Sequence, residues 1–208
     1  GLTHLVELLS LADPQVNGFD RIVVWSSSAS LKLIEDRPWL DKRNPSALDK
    51  SLFQRMLWQI RHLSQAVRNE GCSVLFVPGG SYMGDFYPVV TMSQNLLPFE
   101  TSEALRFGWS FLMFKLILLR LTQSRSFKKA DGIIFLTEYA RNTVMKVTGD
   151  LTGQTSTIAH GISPRFYKVP KSQKNISYYS EAQPYKVLYV SIIDQYKHQW
   201  HVVEAVSS

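Results

Sequence analysis

Apolar and polar residues alternate along the chain in two patterns. Short apolar runs, typical of strands buried on both faces, occur at 20–26, 73–77, 89–93, 132–136 and 155–159. Longer segments between them have apolar residues every three or four positions, which indicates amphipathic helices. Because strands alternate with helices, we predict an α/β chain with a mostly parallel sheet flanked by helices.

The helical pattern predicts helices at 1–12, 27–35, 49–70 and 107–121, and a further helix that starts after Thr137. In the longest of these, one apolar face is predicted to be buried: Leu52, Phe53, Met56, Ile60, Leu63 and Val67. Thr137 has the side chain of a helix N-cap, and Gly71 and Gly149 are placed to end helices. Residues 41–45 are predicted as loop. Residues 186–191 are predicted to open a new strand, and 199–206 to start a helix.

The most apolar segment, FGWSFLMFKLILLRL at 107–121, is too short to span a bilayer. Two interpretations are open. It is a basic amphipathic helix in a membrane interface, anchored by Trp109 and Phe111. Alternatively it packs against the sheet and turns its cations to water, which is the more frequent use of such helices. The cations concerned are Lys115, Arg120, Lys128 and Lys129.

Composition and charge narrow the function only a little. The 208 residues are 45% hydrophobic and 19% charged, which is a globular composition. The net charge of +6 suits an anionic partner such as a nucleoside diphosphate or a membrane surface, although a solvated basic surface explains it equally well. The basic residues are scattered, so we expect no nucleic-acid binding. The single cysteine, Cys72, excludes an internal disulfide and a cysteine-based metal site.

Polar turns follow three of the predicted strands. Gly79-Gly80 comes after 73–77, Gln94-Asn95 after 89–93, and His160-Gly161 after 155–159. The carboxyl ends of parallel strands are where α/β sheets place ligands, so these turns are candidate binding residues. Gly79-Gly80 is not a phosphate loop, because no Gly-Lys-Ser/Thr follows it. A plain turn at Gly79-Gly80 and a structural role for His160 are the alternatives.

Four segments resemble the family 4 glycosyltransferases, which have the GT-B fold. They are ADGIIFLTEYAR at 130–141, IAHGISPRFY at 158–167, KVLYVSIIDQYKHQWHVVEAV at 186–206 and QNLLPFE at 94–100. The resemblance implies a Rossmann-like, mostly parallel sheet that forms the N-terminal half of an incomplete GT-B fold. It assigns 1–168 to an acceptor-binding domain without its first strand, 169–184 to a linker, and 185–208 to the start of a nucleotide-sugar domain.

The same resemblance implies a retaining, metal-independent transfer of sugar from a nucleoside-diphosphate sugar to a hydroxyl acceptor, in polysaccharide or glycolipid synthesis. No cofactor is implied besides the nucleotide-sugar donor. The implied donor-binding residues are Gly1, His160, Gly161 and Lys197. The implied acceptor- or sugar-binding residues are Gly79, Gly80, Gln94, Asn95 and Glu100. No catalytic residue is assigned: the family's diphosphate-binding arginine falls on Ile192, and its paired glutamates fall beyond Ser208, so we expect a fragment that is inactive by itself.

Two other interpretations complete the predictions. The spacing of His198, His201 and Glu204 differs from the i, i+4 histidines of zinc helices, so no metal site is expected. A non-catalytic module that docks on membranes through 107–129 is the alternative function. The absence of a visible signal peptide and the low cysteine content favour a cytoplasmic location, with peripheral contact at the inner face of the membrane as an addition.

Overall fold

The structure is a computed structural model that describes residues 2–207. Within that range the strands are β1 (Ile22–Trp25), β2 (Leu40–Arg43), β3 (Leu75–Val77), β4 (Val89–Ser93), β5 (Gly132–Phe135) and β6 (Gln154–Thr157). The helices are α1 (Leu2–Leu11), α2 (Ser28–Leu31), α3 (Leu52–Arg61), α4 (Leu63–Asn69), α5 (Thr101–Leu105), α6 (Phe111–Lys129), α7 (Glu138–Thr148) and α8 (Gln199–Ser207).

All strand pairs in the described range are parallel, and they form two sheets. One sheet pairs β1 with β2, and the other has the order β3-β4-β5-β6. Helices lie in the connections between successive strands except that from β3 to β4, where residues 78–88 form a loop. The predicted α/β architecture is therefore confirmed, and it is consistent with a Rossmann-like fold.

The main core lies between the four-stranded sheet and helices α4, α6 and α7. Its most buried side chains are apolar and belong to β4, β5 and these helices: Val67, Val89, Phe127, Ile133, Phe135 and Val144. The Phe127 ring stacks on Phe99 at 5.8 Å between centroids and meets the edge of Phe135 at 6.4 Å. Such aromatic contacts add to the free energy gained from burying the rings.

A smaller core covers the β1–β2 sheet. Leu9 of α1 packs there with Val24 and Leu40, and Trp25 packs against the main core. An ion pair also connects β2 to the end of α4. Arg43 Nε donates to Glu70 Oε1 at 2.6 Å, and Glu70 directly follows α4. This guanidinium lowers the pKa of the Glu70 carboxyl.

The predicted helix boundaries at α7 are confirmed. The Thr137 hydroxyl accepts from the Ala140 amide at 3.0 Å, which satisfies a donor in the first turn. Gly149 ends the helix at φ 73°, a left-handed conformation that favours glycine. Gly71 follows α4 at φ 64° in the same way.

Two predicted segments are wrong. Residues 41–45, predicted as loop, include most of β2, whose charged side chains hid a strand that is only half-buried. Residues 186–191, predicted as a strand, form none, and Leu188 and Val190 are more than four-fifths exposed. Apolar sequence alone does not make a strand, because its amides and carbonyls need a neighbouring strand to pair with.

The predicted long helix at 49–70 is divided, and its buried face is only partly as predicted. It becomes α3 and α4, with a break at His62. Leu63 and Val67 of α4 are buried as expected, but Leu52, Phe53, Met56 and Ile60 of α3 are exposed. The reason is the rotation of α3, which packs Trp58 against the main core and turns the other face to solvent.

Helix α6 begins at Phe111, where the Ser110 hydroxyl accepts from the Met113 amide, and it ends at Lys129. Leu116, Gln123, Ser126 and Phe127 are its buried residues. In the part of the chain that the structure describes, neither this helix nor any other is long and apolar enough to cross a membrane.

Replacing Phe127 with alanine should lower the free energy of unfolding by about 3–5 kcal/mol, because it leaves a cavity in the main core. Chemical denaturation monitored by circular dichroism measures this. Phe114→Ala is the matched control in the same helix, and its largely exposed ring predicts a change within about 0.5 kcal/mol. Equal effects of the two substitutions would show that the buried side of α6 is not the one that carries Phe127.

Candidate functional site

The polar turns predicted from the sequence lie along one edge of the four-stranded sheet. Gly79-Gly80 follows β3, Gln94-Asn95 follows β4, Thr137 follows β5, and His160-Gly161 follows β6. These strands are parallel neighbours in that order, so their carboxyl ends lie on the same side. This edge is the usual ligand position in an open parallel sheet, and it is the candidate site.

The turn at Gly79-Gly80 rests on α6. Gly80 is buried at φ 75°, and a Cβ there would lie 3.1 Å from Gln123 Nε2 and 3.2 Å from the Met92 carbonyl oxygen. Gln123 Nε2 also donates to the Gly79 carbonyl at 3.5 Å. Only glycine therefore fits this close approach of the turn to the helix and to β4.

Three buried polar oxygens near this turn lack a hydrogen-bond partner in the described structure: Ser81 Oγ, Ser93 Oγ and Gln123 Oε1. Gln123 and Ser93 are each more than nine-tenths buried. A buried acceptor without a partner costs about 1–3 kcal/mol, and an internal water is its usual partner. The sequence analysis missed Gln123, because a single glutamine inside an apolar helix gives no motif.

A polar network holds the loop that follows the glycines. The Tyr82 amide donates to Ser126 Oγ at 2.6 Å, and that hydroxyl lies 2.8 Å from the Tyr82 carbonyl. The Tyr82 phenol bonds to Ser64 of α4 at 3.0 Å. The loop is thus fixed between α4 and α6, which lie on either side of it.

The predicted acceptor-binding residues after β4 are partly engaged. Asn95 Oδ1 accepts from the Leu97 amide at 3.1 Å, and Gln94 Nε2 donates to Met92 Sδ at 3.3 Å. Glu100 accepts from the Tyr139 phenol at 2.5 Å, which raises the pKa of Tyr139. This bond joins the segments after β4 and β5, and it occupies one of the two oxygens of the Glu100 carboxylate.

The structure brings α1 to the turn after β6. The His4 and His160 rings meet edge-on at 4.7 Å, and His4 Nε2 is buried without a partner in the described structure. Burial and the nearby His160 both lower the pKa of His4. Gly161 is exposed, and Gly1, another predicted donor-binding residue, lies outside the described residues.

Lys197, the remaining predicted donor-binding residue, contacts other groups. Its Nζ lies 4.7 Å from the Tyr196 ring centre, and its carbonyl accepts from the Tyr189 phenol. No hydrogen bond, ion pair or ring contact within 2–207 joins it to His160 or Gly161. The adjacent His198 bonds instead to Glu103 of α5 at 3.2 Å, so the C-terminal segment lies against α5.

The predicted membrane-contact residues are spread around α5 and α6. Trp109 is fully exposed just before α6, and Lys115, Lys128 and Lys129 are exposed on the helix. Arg120 is half-buried and donates to the Thr101 hydroxyl at 3.1 Å, so it ties α6 to α5.

Comparison with known proteins identifies no relative of this chain. No family model matches the sequence, and neither a curated protein nor a solved structure is significantly similar to it. Among residues 2–207, no group of three or more histidine, cysteine, aspartate or glutamate side chains is arranged to hold a metal ion.

Gly80→Ala should destabilise the protein by about 1–3 kcal/mol, because it combines a left-handed backbone with contacts to Gln123 and Met92. Gly79→Ala is the matched control, since a Cβ at Gly79 meets no atom within 4 Å. Thermal unfolding of both variants measures the difference. A loss at Gly79 as large as that at Gly80 would contradict the described turn.

Proposed function

We propose that the chain is the acceptor-binding part of a retaining glycosyltransferase, which transfers a sugar from a nucleoside-diphosphate sugar to a hydroxyl acceptor. The observation that carries the proposal is the row of polar turns after β3, β4 and β6 at one edge of a parallel sheet. The resemblance of 94–100, 130–141, 158–167 and 186–206 to family 4 glycosyltransferases supplies the reaction class. The proposed acceptor is a carbohydrate or a lipid-linked acceptor.

The chemistry of the edge suits a sugar acceptor. The amides of Gln94 and Asn95 bind hydroxyl groups as donors and acceptors, but they do not act as bases near neutral pH. A retaining reaction driven by departure of the diphosphate fits the absence of a base at these two positions. Gly79 leaves backbone accessible beside them, because Gly79 is exposed and has no side chain of its own.

The donor diphosphate requires positive charge or free amides where its own charge increases. In the proposal these come from the turn at His160-Gly161, from the adjacent first turn of α1, and from Lys197. The His4–His160 contact supports the first two, because it holds the start of α1 next to the turn. Lys197 would have to leave the Tyr196 ring to join them.

The test measures transfer with the protein that carries these 208 residues. A panel of uridine, guanosine and adenosine diphosphate sugars is offered with carbohydrate acceptors, with and without a metal chelator. We expect release of one nucleoside diphosphate, unaffected by the chelator. Gln94→Ala should raise the KM for the acceptor by about tenfold, because it removes the hydrogen bonds of the half-buried Gln94 amide to the acceptor. Gln15→Ala, at an exposed glutamine that is distant in sequence from Gln94, is the control. Failure of the folded protein to use or bind any nucleotide sugar would overturn the proposal.

Contact with a membrane surface is the second candidate function, and one observation favours it. Phe114, Ile117, Leu118 and Leu121 of α6 are all exposed, and at about 100° per residue they fall on the face opposite Gln123 and Phe127. The helix is thus apolar on both sides over its first three turns, whereas an ordinary surface helix is polar outside. Its charged residues are exclusively basic. We infer that this outward face, the α6 stripe, lies in the interface of an anionic membrane.

Trp109 provides the readout for the α6 stripe. Anionic vesicles should shift its emission to shorter wavelength, and the shift should disappear in Trp109→Phe. Phe114→Ser with Leu118→Ser should reduce vesicle binding by about tenfold or more, because it removes apolar area from the contact. Leu11→Ser, at an exposed leucine in α1, is the control. Unchanged Trp109 emission with saturating vesicles would contradict this second function.

A further inference from the structure

Helix α3 carries a second apolar face that nothing in the described structure covers. Leu52, Phe53, Met56 and Ile60 are 79%, 66%, 45% and 38% exposed, although the sequence pattern predicts them to be in the core. At about 100° per residue these four side chains fall within an arc of about 100° on one side of the helix. No residue of α3 is fully buried.

Contacts of α3 fix the orientation of the helix, and this orientation leaves the apolar face exposed. Trp58 lies on the opposite side of the helix and packs against the main core. A capping box fixes the first turn: the Ser51 hydroxyl accepts from the Gln54 amide, and the Gln54 side chain accepts from the Ser51 amide. Together they hold Phe53 and Met56 outward.

The charged residues of α3 and its flanks from Lys50 to His62 are all basic. The sequence from Lys50 to His62 contains Lys50, Arg55 and Arg61 and no acidic residue. In helical projection Arg55 and Arg61 lie on either side of the apolar arc. The nearest carboxylate in sequence, Asp49, accepts from the Ser28 amide at 2.7 Å and from the Ser28 hydroxyl at 3.0 Å, and the nearby Arg55 also helps to lower the pKa of Asp49.

We propose that α3 docks on an anionic lipid bilayer, lying in the plane of the interface with Leu52, Phe53, Met56 and Ile60 among the acyl chains. The two arginines would then reach the headgroup phosphates from both borders of the buried face, as long cationic side chains do at interfaces. A basic border is complementary to an anionic headgroup layer and disfavours a second copy of the same face, because like charges would meet.

This inference is independent of sugar transfer and of the α6 stripe. It concerns a different helix, and its variants leave the turns after β3, β4 and β6 unchanged. The loop held by Tyr82 lies between α4, which directly follows α3, and α6.

The experiment measures binding to vesicles made of equal parts phosphatidylcholine and phosphatidylglycerol, with pure phosphatidylcholine vesicles as the comparison. Phe53→Ser with Met56→Ser should weaken binding to the anionic vesicles by about tenfold or more. Arg55→Gln and Arg61→Gln should each weaken it about fivefold, and only at low salt. Leu11→Ser is the control for lost apolar surface, and Lys168→Gln with Lys171→Gln is the control for lost charge.

A second readout places α3 itself at the bilayer. Four tryptophans remain in the Trp109→Phe background, so quenching by lipids brominated on the acyl chains is measured relative to that background. Phe53→Trp should increase this quenching, whereas Leu11→Trp should not. Because the changed residues are exposed, circular dichroism should show unaltered folding. Unchanged binding in the Phe53/Met56 variant, or no quenching at position 53, would overturn the proposal. So would a concentration-dependent dimer, seen by sedimentation, that the same variant abolishes, since the occupant of the face would then be a second copy.

Discussion

The packing of α6 on the middle of the four-stranded sheet is the constraint on which the rest of the structure depends. Burial of Phe127 against Phe99 and Phe135 fixes the rotation of the helix. One turn earlier, the same face presents Gln123 to the turn at Gly79-Gly80, and Ser126 holds Tyr82. A single helix face therefore completes the core and positions one end of the candidate site.

The same constraint determines what is left on the outside. Once Phe127 is buried, Phe114 and Leu118 must point to solvent, because they lie on the opposite side of α6. Trp58 has the corresponding effect on α3, where it leaves Phe53 and Met56 exposed. Neither helix contains an acidic residue, so both outward faces combine apolar area with positive charge. This combination is the physical basis for proposing contact with anionic lipid.

The sequence predicted most of the sheet because its strands have strong local signals. The runs that became β4 and β5 are apolar on both faces, and Thr137 and Gly149 mark the ends of α7 by their own chemistry. The predictions from sequence failed where tertiary contacts determine the secondary structure. Strand β2 carries charged residues because it is only half-buried, and 186–191 has the composition of a strand but no neighbour to pair with. The outward face of α3 was predicted to be core, since hydrophobic periodicity shows that one face is apolar but not which way it points.

For the turns of the candidate site, only the positions along the chain could be recognised from the sequence. Glycines and amides after parallel strands could be recognised from their position, and the structure places them along one edge. The groups that hold them could not be recognised, because Gln123, Ser126 and Tyr139 are 39 to 44 residues away from the residues they contact and give no motif of their own. The C-terminal segment is attached differently, through His198 and Glu103 and with its apolar residues exposed.

Native-state hydrogen exchange tests most directly whether α6 on β4 and β5 is the stable centre of the molecule. The account predicts that the amides of Val89–Ser93, of Gly132–Phe135 and of α6 from Leu116 to Phe127 exchange last, and only through global unfolding. Amides at 186–193 should exchange early. Exchange of the Leu116–Phe127 amides as fast as those at 186–193 would contradict it, because the helix could then not fix the turn at Gly79-Gly80.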